Sequence, residues 1–290
     1  EPRLQYGMLG SRVNLAARLA LHAPSRKILV DENIGQLADF ESIFNESYTF
    51  KGFKQKQSTW VLQSKKSEKP LLFLQELVGR EPELNRFLHF IDQNVLSPKT
   101  NCISVWGESG IGKSHFVYEV KQRLMQQHDV NWITCPSDQI LRKPYNPFVY
   151  YLKNYFRQSS SQTTNSNQKT FESLFQEVVR LALYQRNPHI TELIRTESFL
   201  AALMGIHQKN SLWEKLDAKG RYDNTLVALV SFFSVINASK PTVIELEDVH
   251  WIDEESVSFI NLLTKSVSNA PLFILFVSRY TDEGTKALSY

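Results

Sequence analysis

The chain has 290 residues, of which 42% are hydrophobic and 22% are charged, and its formal net charge is +3. That length allows one to two globular domains, each with its own core. No apolar run approaches the ~20 residues of a membrane helix, and the basic residues form no stripe, so composition predicts a chain without a membrane segment and indicates no nucleic-acid partner.

The two cysteines, Cys102 and Cys135, both fall on predicted strands and lack the spacing of a zinc site. Disulfides persist mainly in secreted proteins, whereas isolated thiols are typical of reducing compartments. We therefore predict two buried, reduced thiols and a cytoplasmic protein.

Residues 1–63 alternate a helical pattern, VNLAARLALHA, with the strand-like pieces KILVD and TWVLQ. This alternation predicts the last part of a domain that contains both helices and strands. Residues 64–70, SKKSEKP, are polar and charged and end in proline, a composition typical of linkers. We expect one domain over 1–63, a linker over 64–70 and a second domain over 71–290.

The second domain alternates predicted helices with predicted strands. Helices are predicted at 81–94, from 113, at 171–186, 191–204 and 225–237, and from 254, and strands at 102–106, 130–135, 242–248 and 272–278. The polar run QSSSQTTNSNQKT at 158–170 predicts a mobile surface loop. The alternation predicts an α/β fold, with a mostly parallel sheet covered by helices.

A phosphate-binding loop is predicted at GESGIGKS, Gly107–Ser114, between a predicted strand and a predicted helix. Its backbone N–H groups must curl toward the phosphates, which favours glycine at Gly107, Gly110 and Gly112. Lys113 offers a compact charge to the β- and γ-phosphates, and Ser114 offers a hydroxyl to Mg²⁺. The cofactors predicted for this P-loop NTPase core are therefore ATP and Mg²⁺.

Acidic residues follow the apolar start of the predicted strand TVIELED. Glu247 is the candidate for holding Mg²⁺ and Asp248 for orienting the attacking water, because ligands bind at the carboxyl ends of parallel strands. The alternative is a polar strand end without a function. Glu245 interrupts the strand on the face of Glu247, so either it pairs with a cation or the predicted register is wrong.

Arg279 ends the predicted strand LFILFVS, from which its guanidinium could reach a γ-phosphate and report its presence. The alternative is an ordinary surface arginine. His250 and Trp251 could shape the same pocket, but we assign them no catalytic role.

The motifs LVGREPEL, GESGIGKS, PYNPF, LEDVHWID and FVSRY together resemble the AAA-type ATPase modules of the STAND class of signalling NTPases, over residues 77–280. The resemblance implies that Val78–Arg80 lie near the adenine, with Arg80 among the nucleotide-binding residues. It also implies that Glu247 and Asp248 act as assigned above and that Arg279 is the sensor. This family usually has Asp at the position of Glu247 and an apolar residue at that of Glu245. It also carries further C-terminal helical and winged-helix domains.

Asn14 and Arg18 lie four positions apart, on one face of a predicted helix, where an amide and a guanidinium can hold a ribose and a phosphate. The alternative is the polar face of an ordinary amphipathic helix. Residues 6–62 resemble the C-terminal part of an α+β class III nucleotide cyclase domain. The resemblance implies catalytic roles for Asn14, Arg18 and Lys51. Gly7 stands where the family reads the purine.

A cyclase domain followed by such an ATPase module resembles the soluble adenylyl cyclase family, which makes cyclic AMP from ATP. The two metal-binding aspartates of the family are absent from the 290 residues, so we expect activity to need a second cyclase half or a homologous cyclase domain as partner. Two alternatives stay open: a nucleotide sensor with negligible turnover, and a transcriptional or adaptor STAND protein.

Overall fold

The computed structural model describes residues 10–23, 27–37, 40–53, 55–65, 77–95, 97, 99–137, 143–159, 162–266 and 271–280. The chain divides into two compact units, Glu1–Leu74 and Gln75–Tyr290. Most of the predicted linker at 64–70 lies outside the described residues, although positions 64 and 65 belong to the last strand of the first unit. The linker and the domain bounds therefore remain predictions.

The first unit is a small antiparallel sheet with one main helix. Its elements are α1 Ser11–His22, β1 Ile28–Asp31, α2 Glu32–Gly35, β2 Phe40–Tyr48 and β3 Gln57–Lys65. The strand order is β1-β3-β2, with both pairs antiparallel. Leu15 and Leu19, one turn apart on α1, pack with Leu29, Phe50 and Val61 in its core.

The second unit has a four-stranded, fully parallel sheet in the order β4-β7-β6-β5. Its elements are α3 Glu81–Asn94, β4 Thr100–Trp106, α4 Lys113–Gln127, β5 Asn131–Pro136, α5 Asn146–Tyr155, α6 Thr164–Tyr184, α7 Ile190–Arg195, α8 Glu197–Leu203, α9 Leu212–Lys215, α10 Ala218–Ser239, β6 Thr242–Glu247, a 3-10 helix Val249–Trp251, α11 Glu254–Ser266 and β7 Leu272–Ser278. The predicted α/β fold with a parallel sheet is confirmed for this unit.

Successive side chains of a strand point to opposite faces of a sheet, and here both faces are apolar, so helices cover both of them. On one face Val243, Phe273 and Leu275 pack against the apolar sides of α3 and α4. On the other, Ile244 and Ile274 pack with a cluster rich in aromatic residues, drawn mainly from α5, α6, α8, α10 and α11. The central strand β7 is buried along its whole length, as a strand covered on both faces must be.

The prediction of a surface loop over 158–170 was wrong for its second half, because α6 begins at Thr164. The Thr163 hydroxyl accepts a hydrogen bond from the backbone N–H of Ser166 at 3.2 Å and caps the helix. The side chain of Asn167 bonds both backbone groups of Ser159, accepting from N at 3.2 Å and donating to O at 2.8 Å. The polar side chains of this segment therefore form hydrogen bonds that stabilise the start of a helix, and not a loop.

Two helix bounds and one burial prediction also changed. The helix predicted over 191–204 is split at Thr196, whose hydroxyl donates to the carbonyl of Glu192 at 2.6 Å. The helix predicted to begin at 225 begins at Ala218, where the Asp217 carboxylate accepts from Gly220 N at 2.8 Å. The prediction that Cys102 is buried was wrong, since it is exposed on β4, which lies at the edge of the sheet among the described residues, whereas Cys135 is buried as predicted.

Among the helices named above, none combines the length and the apolar character needed to span a bilayer.

Candidate functional site

The loop Gly107–Ser114 connects β4 to α4, so the predicted strand-loop-helix context is present. Gly110 and Gly112 have φ angles of 78° and 93°, in the left-handed region. A Cβ atom at either position would meet nothing within 4 Å, so the backbone angle, and not crowding, requires glycine there. Left-handed positions of this kind turn successive N–H groups toward a shared anion in phosphate-binding loops.

The ammonium group of Lys113 is folded back onto the loop. Its Nζ donates to the carbonyl oxygens of Gly107 at 2.9 Å and Glu108 at 2.8 Å. Burial lowers the pKa of Lys113, the negative charge of Asp248 opposes this, and the positive charge of Arg279 adds to it. The loop lysine, the acid that follows β6 and the arginine that follows β7 therefore share one electrostatic neighbourhood.

Asp248 stands in the left-handed conformation, with φ 50° and ψ 46°, where the chain turns out of β6. Its carbonyl accepts the backbone N–H of Trp251 at 2.9 Å and closes a 3-10 turn. Aspartate tolerates this conformation better than most residues with a side chain. The turn leaves the Asp248 side chain exposed at the carboxyl end of the sheet.

Glu245 is only 6% exposed and points to the same face as Glu247, as the predicted register requires. Its Oε2 accepts hydrogen bonds from Trp132 Nε1 at 2.7 Å and from Thr134 Oγ1 at 3.0 Å, both on the neighbouring strand β5. Neither alternative considered for Glu245 holds, because the register is right and the partners are neutral donors. This carboxylate is accommodated by a polar patch between β5 and β6.

Burial and the negative charges of Glu245 and Asp248 raise the pKa of Glu247 to about 7, a shift that Lys121 on α4 partly opposes. A hydrogen bond with Glu245 acts in the same direction as burial. Without a cation, the site therefore favours a neutral Glu247. A bound cation would favour the ionised form.

The folded protein keeps a proton on Glu247 up to about pH 7, whereas an unperturbed glutamate releases it near 4.5. The nucleotide-free protein should therefore lose stability between these two values as pH rises, since the folded state binds more protons there. Glu247→Gln should raise the free energy of unfolding by ~3 kcal/mol at about pH 8 and change it little near pH 4.5.

Urea denaturation of the wild type and Glu247→Gln at both pH values measures this effect. Glu177→Gln, on the exposed side of α6, is the matched control and should differ little from the wild type at either pH. An equal gain for Glu247→Gln at both pH values would contradict the prediction.

Arg279 is held by its neighbours His250 and Trp251. Its Nε donates to His250 Nε2 at 2.8 Å, and its guanidinium carbon lies 5.4 Å from the ring centroid of Trp251. Ser278 Oγ lies 3.4 Å from the other ring nitrogen, Nδ1. Burial and then the charge of Arg279 lower the pKa of His250, against the opposing effect of Asp248, so the ring is a neutral acceptor at Nε2.

Asp253 is a structural residue of this region that the sequence reasoning missed. One carboxylate oxygen accepts from the backbone N–H groups of Tyr145 at 2.9 Å and Ser256 at 2.8 Å. The other accepts from Asn146 N at 3.2 Å and Ser256 Oγ at 2.8 Å. An aspartate directly before a helix is a capping signal, so its role at α11 could have been predicted from the sequence. Its bonds to the start of α5 could not, because they join residues that are far apart in the chain.

A cleft of about 420 Å³ adjoins the phosphate loop. Arg80 directly precedes α3 and has the left-handed conformation, and its Nη2 donates to the carbonyl of Ile111 in the loop at 3.4 Å. Val78 is 93% exposed. The cleft combines cationic with aromatic side chains, including Arg80, Arg86, Phe87, Phe90, Trp106 and Lys113.

The candidate residues of the first unit, Asn14, Arg18 and Lys51, share no hydrogen bond or ion pair with one another among the described residues. Asn14 and Arg18 are exposed on α1, and Lys51 is exposed in the turn after β2. Gly7 lies outside the described residues.

The donor set at the end of the sheet fits a magnesium ion that is also bound by phosphate. In the part of the chain that the structure describes, no three His, Cys, Asp or Glu side chains form a cluster that could hold a metal. Mg²⁺ usually binds through one or two carboxylates, phosphate oxygens and water. Ser114 is the second residue of α4 and Glu247 is the last residue of β6, and a hydroxyl and a carboxylate are suited to that role.

The parallel sheet and the glycine loop after β4, with acidic residues at the end of β6, define a P-loop NTPase core. Residues 76–276 match the AAA ATPase domain family, and the chain belongs to that family. Membership of this family implies ATP binding and hydrolysis.

An uncharacterized protein of Rhizobium meliloti (strain 1021) is 24% identical over an alignment of 282 residues. The alignment covers 93% of this chain but 26% of that protein. The chain thus corresponds to about a quarter of this much longer relative.

Proposed function

We propose that the chain binds Mg-ATP at Gly107–Ser114, hydrolyses it slowly and uses the nucleotide state as a switch in intracellular signalling, as in STAND-class proteins. The observation that carries this proposal is the common neighbourhood of Lys113, Asp248 and Arg279, which come from three separate segments. A cation for phosphate, an acid for water and a second cation at one sheet end are the parts that phosphoryl transfer needs.

Each side chain has one role in this proposal. Lys113 exchanges its bonds to the loop carbonyls for bonds to the β- and γ-phosphates. Asp248 accepts the proton of the attacking water, for which its exposed carboxylate is suited. Arg279 binds the γ-phosphate, and Arg80 contributes to the nucleotide cleft beside the loop.

Ser114 and Glu247 would hold Mg²⁺, which neutralises charge on the phosphates when it is bound. Glu247 must be ionised for this role, and neutral Glu247 is favoured without a cation. Nucleotide-bound metal and proton release from Glu247 are therefore linked.

Steady-state phosphate release from Mg-ATP tests the proposal and distinguishes a hydrolytic switch from a nucleotide sensor with negligible turnover. A hydrolytic switch releases phosphate in a reaction that saturates with Mg-ATP. A sensor without turnover binds ATP and releases none, and an adaptor or transcriptional STAND protein of that kind would behave in the same way. A protein that binds no nucleotide would contradict both.

We further propose that residues 1–63 are the C-terminal part of a class III adenylate cyclase domain, active only with a second cyclase half. The exposed pair Asn14 and Arg18 on α1 supports this, since both side chains are free to meet a nucleotide held by a partner. In this proposal Asn14 orients the ribose, Arg18 stabilises charge on the α-phosphate, and Lys51 binds the terminal phosphates. Further C-terminal regulatory domains would then belong to the longer protein.

The cyclase proposal predicts that the chain alone makes no cyclic AMP from ATP with manganese. Mixed with a cyclase half that supplies two metal-binding aspartates, it should make cyclic AMP, and Arg18→Ala should lower that rate while Lys113→Ala should not. The product is measured by chromatography. Cyclic AMP from the chain alone, or none from the mixture, would contradict the proposal.

A further inference from the structure

The contact between Arg279 and His250 uses only one of the three guanidinium nitrogens. Arg279 donates from Nε to His250 Nε2 at 2.8 Å. Among the described residues neither terminal nitrogen, Nη1 or Nη2, has a hydrogen-bond partner. The Nη pair is the part of a guanidinium that binds two oxygens of one phosphate or carboxylate at the same time.

The histidine is itself fixed on its far side. Ser278 Oγ lies 3.4 Å from His250 Nδ1, and the ring of Trp251 lies 4.9 Å from the His250 ring, centroid to centroid. The same Trp251 ring supports the guanidinium of Arg279 at 5.4 Å. The arginine thus has a defined acceptor on one edge and an aromatic surface beside it.

The charges around Arg279 explain why such support is needed. Lys113 and Arg279 repel each other, and Asp248 attracts Lys113 in the same neighbourhood. Without such support, the flexible Arg279 side chain could extend into solvent or pair with the Asp248 carboxylate, because opposite charges attract. His250, as a neutral acceptor for Arg279 Nε, orients the arginine side chain without neutralising its charge.

We propose that His250 is a positioning residue whose Nε2 atom orients the Nη pair of Arg279 toward the terminal phosphate, and that it thereby sets the preference of the site for ATP over ADP. This inference rests on the function proposed above. ADP lacks the phosphate that Arg279 would bind, so the orientation supplied by His250 strengthens binding of ATP alone.

Two conservative variants separate this role from simple packing. Gln at position 250 can place its amide oxygen near the position of Nε2 and accept from Arg279. Asn, which is shorter, can place its oxygen only near Nδ1, on the Ser278 side. Ala removes both ring nitrogens, the Nε2 acceptor and the Nδ1 group that faces Ser278.

Isothermal titration with Mg-ADP and with the Mg complex of a non-hydrolysable ATP analogue measures the ratio of the two Kd values. We expect His250→Ala and His250→Asn to reduce the preference for the ATP analogue about tenfold, the usual effect of one hydrogen bond to a charged group, as Arg279→Ala should. His250→Gln should keep the preference of the wild type. Binding of Mg-ADP should be unchanged in all of them.

His89→Ala, an exposed histidine on α3 that bonds Gln93, is the matched control and should keep the ratio of the wild type. An unchanged ratio in His250→Ala would overturn the inference, and so would equal losses in the Gln and Asn variants. If Ala proves unfolded in thermal melting, the comparison of Gln with Asn decides alone.

The inference and the proposed function fail in different ways. A wild type that binds both nucleotides equally overturns the role of His250 but leaves nucleotide binding in place. A wild type that binds neither nucleotide overturns both.

Discussion

Asp248→Asn should lower the turnover number for Mg-ATP by ~10² or more and leave the affinity for Mg-ATP nearly unchanged, since a positioned acid–base group contributes to this extent. The carboxylate accepts a proton from the attacking water, which an amide cannot do. Asparagine also tolerates the left-handed backbone that position 248 requires, so the substitution removes the base without straining the turn. An alanine at this position would combine both effects.

Single-turnover and steady-state phosphate release, together with a titration of Mg-ATP binding, measure the two quantities separately. Asp129→Asn is the control, because Asp129 is 88% exposed and pairs with Lys240 away from the loop. Unchanged turnover in Asp248→Asn would move the catalytic role to another carboxylate. Glu247 would be next, because Glu245 is already occupied by two donors from β5.

Lys113→Ala should weaken Mg-ATP binding by about 2 kcal/mol, or roughly thirtyfold, because one charge-assisted contact to phosphate is lost. The nucleotide-free protein should change little. Lys113 donates there to two neutral loop carbonyls, whereas in the complex its charge neutralises part of the charge of the phosphates.

Thermal melting with and without millimolar Mg-ATP measures the difference, since a ligand that binds only the folded state raises the melting temperature. The wild type should gain a few degrees and Lys113→Ala should gain little. Lys153→Ala, exposed on α5, is the control and should gain as much as the wild type. Equal gains for Lys113→Ala and the wild type would mean that the loop does not hold the nucleotide.

Much of the parallel sheet could be predicted because its strands carry a clear local signal. LFILFVS is apolar throughout, which is typical of a strand buried on both faces, and β7 is such a strand. In contrast, β2 was not predicted. Its residues Ile43 and Phe44 are neighbours on opposite faces and both are largely exposed, so the strand lacks the alternation that marks a half-buried strand.

The parts of the candidate site could also be located from sequence, because Lys113 begins a predicted helix, Asp248 ends a predicted strand and Arg279 follows one. Their contacts could not. The bond between Arg279 and His250 joins residues 29 positions apart and depends on β6 and β7 being neighbours in the sheet. The partners of Glu245 depend likewise on the pairing of β5 with β6, which no local pattern specifies.

Asp253 has a consequence for cooperativity. Its carboxylate bonds the N-terminal N–H groups of α5 through Tyr145 and Asn146, and that of α11 through Ser256. A single negative charge therefore complements the positive ends of two helix dipoles at once. If either helix start frays, the Asp253 carboxylate loses part of its hydrogen bonding and holds the other helix start less firmly. The two N-termini should therefore open as one unit in hydrogen exchange, although more than a hundred residues separate them in the chain.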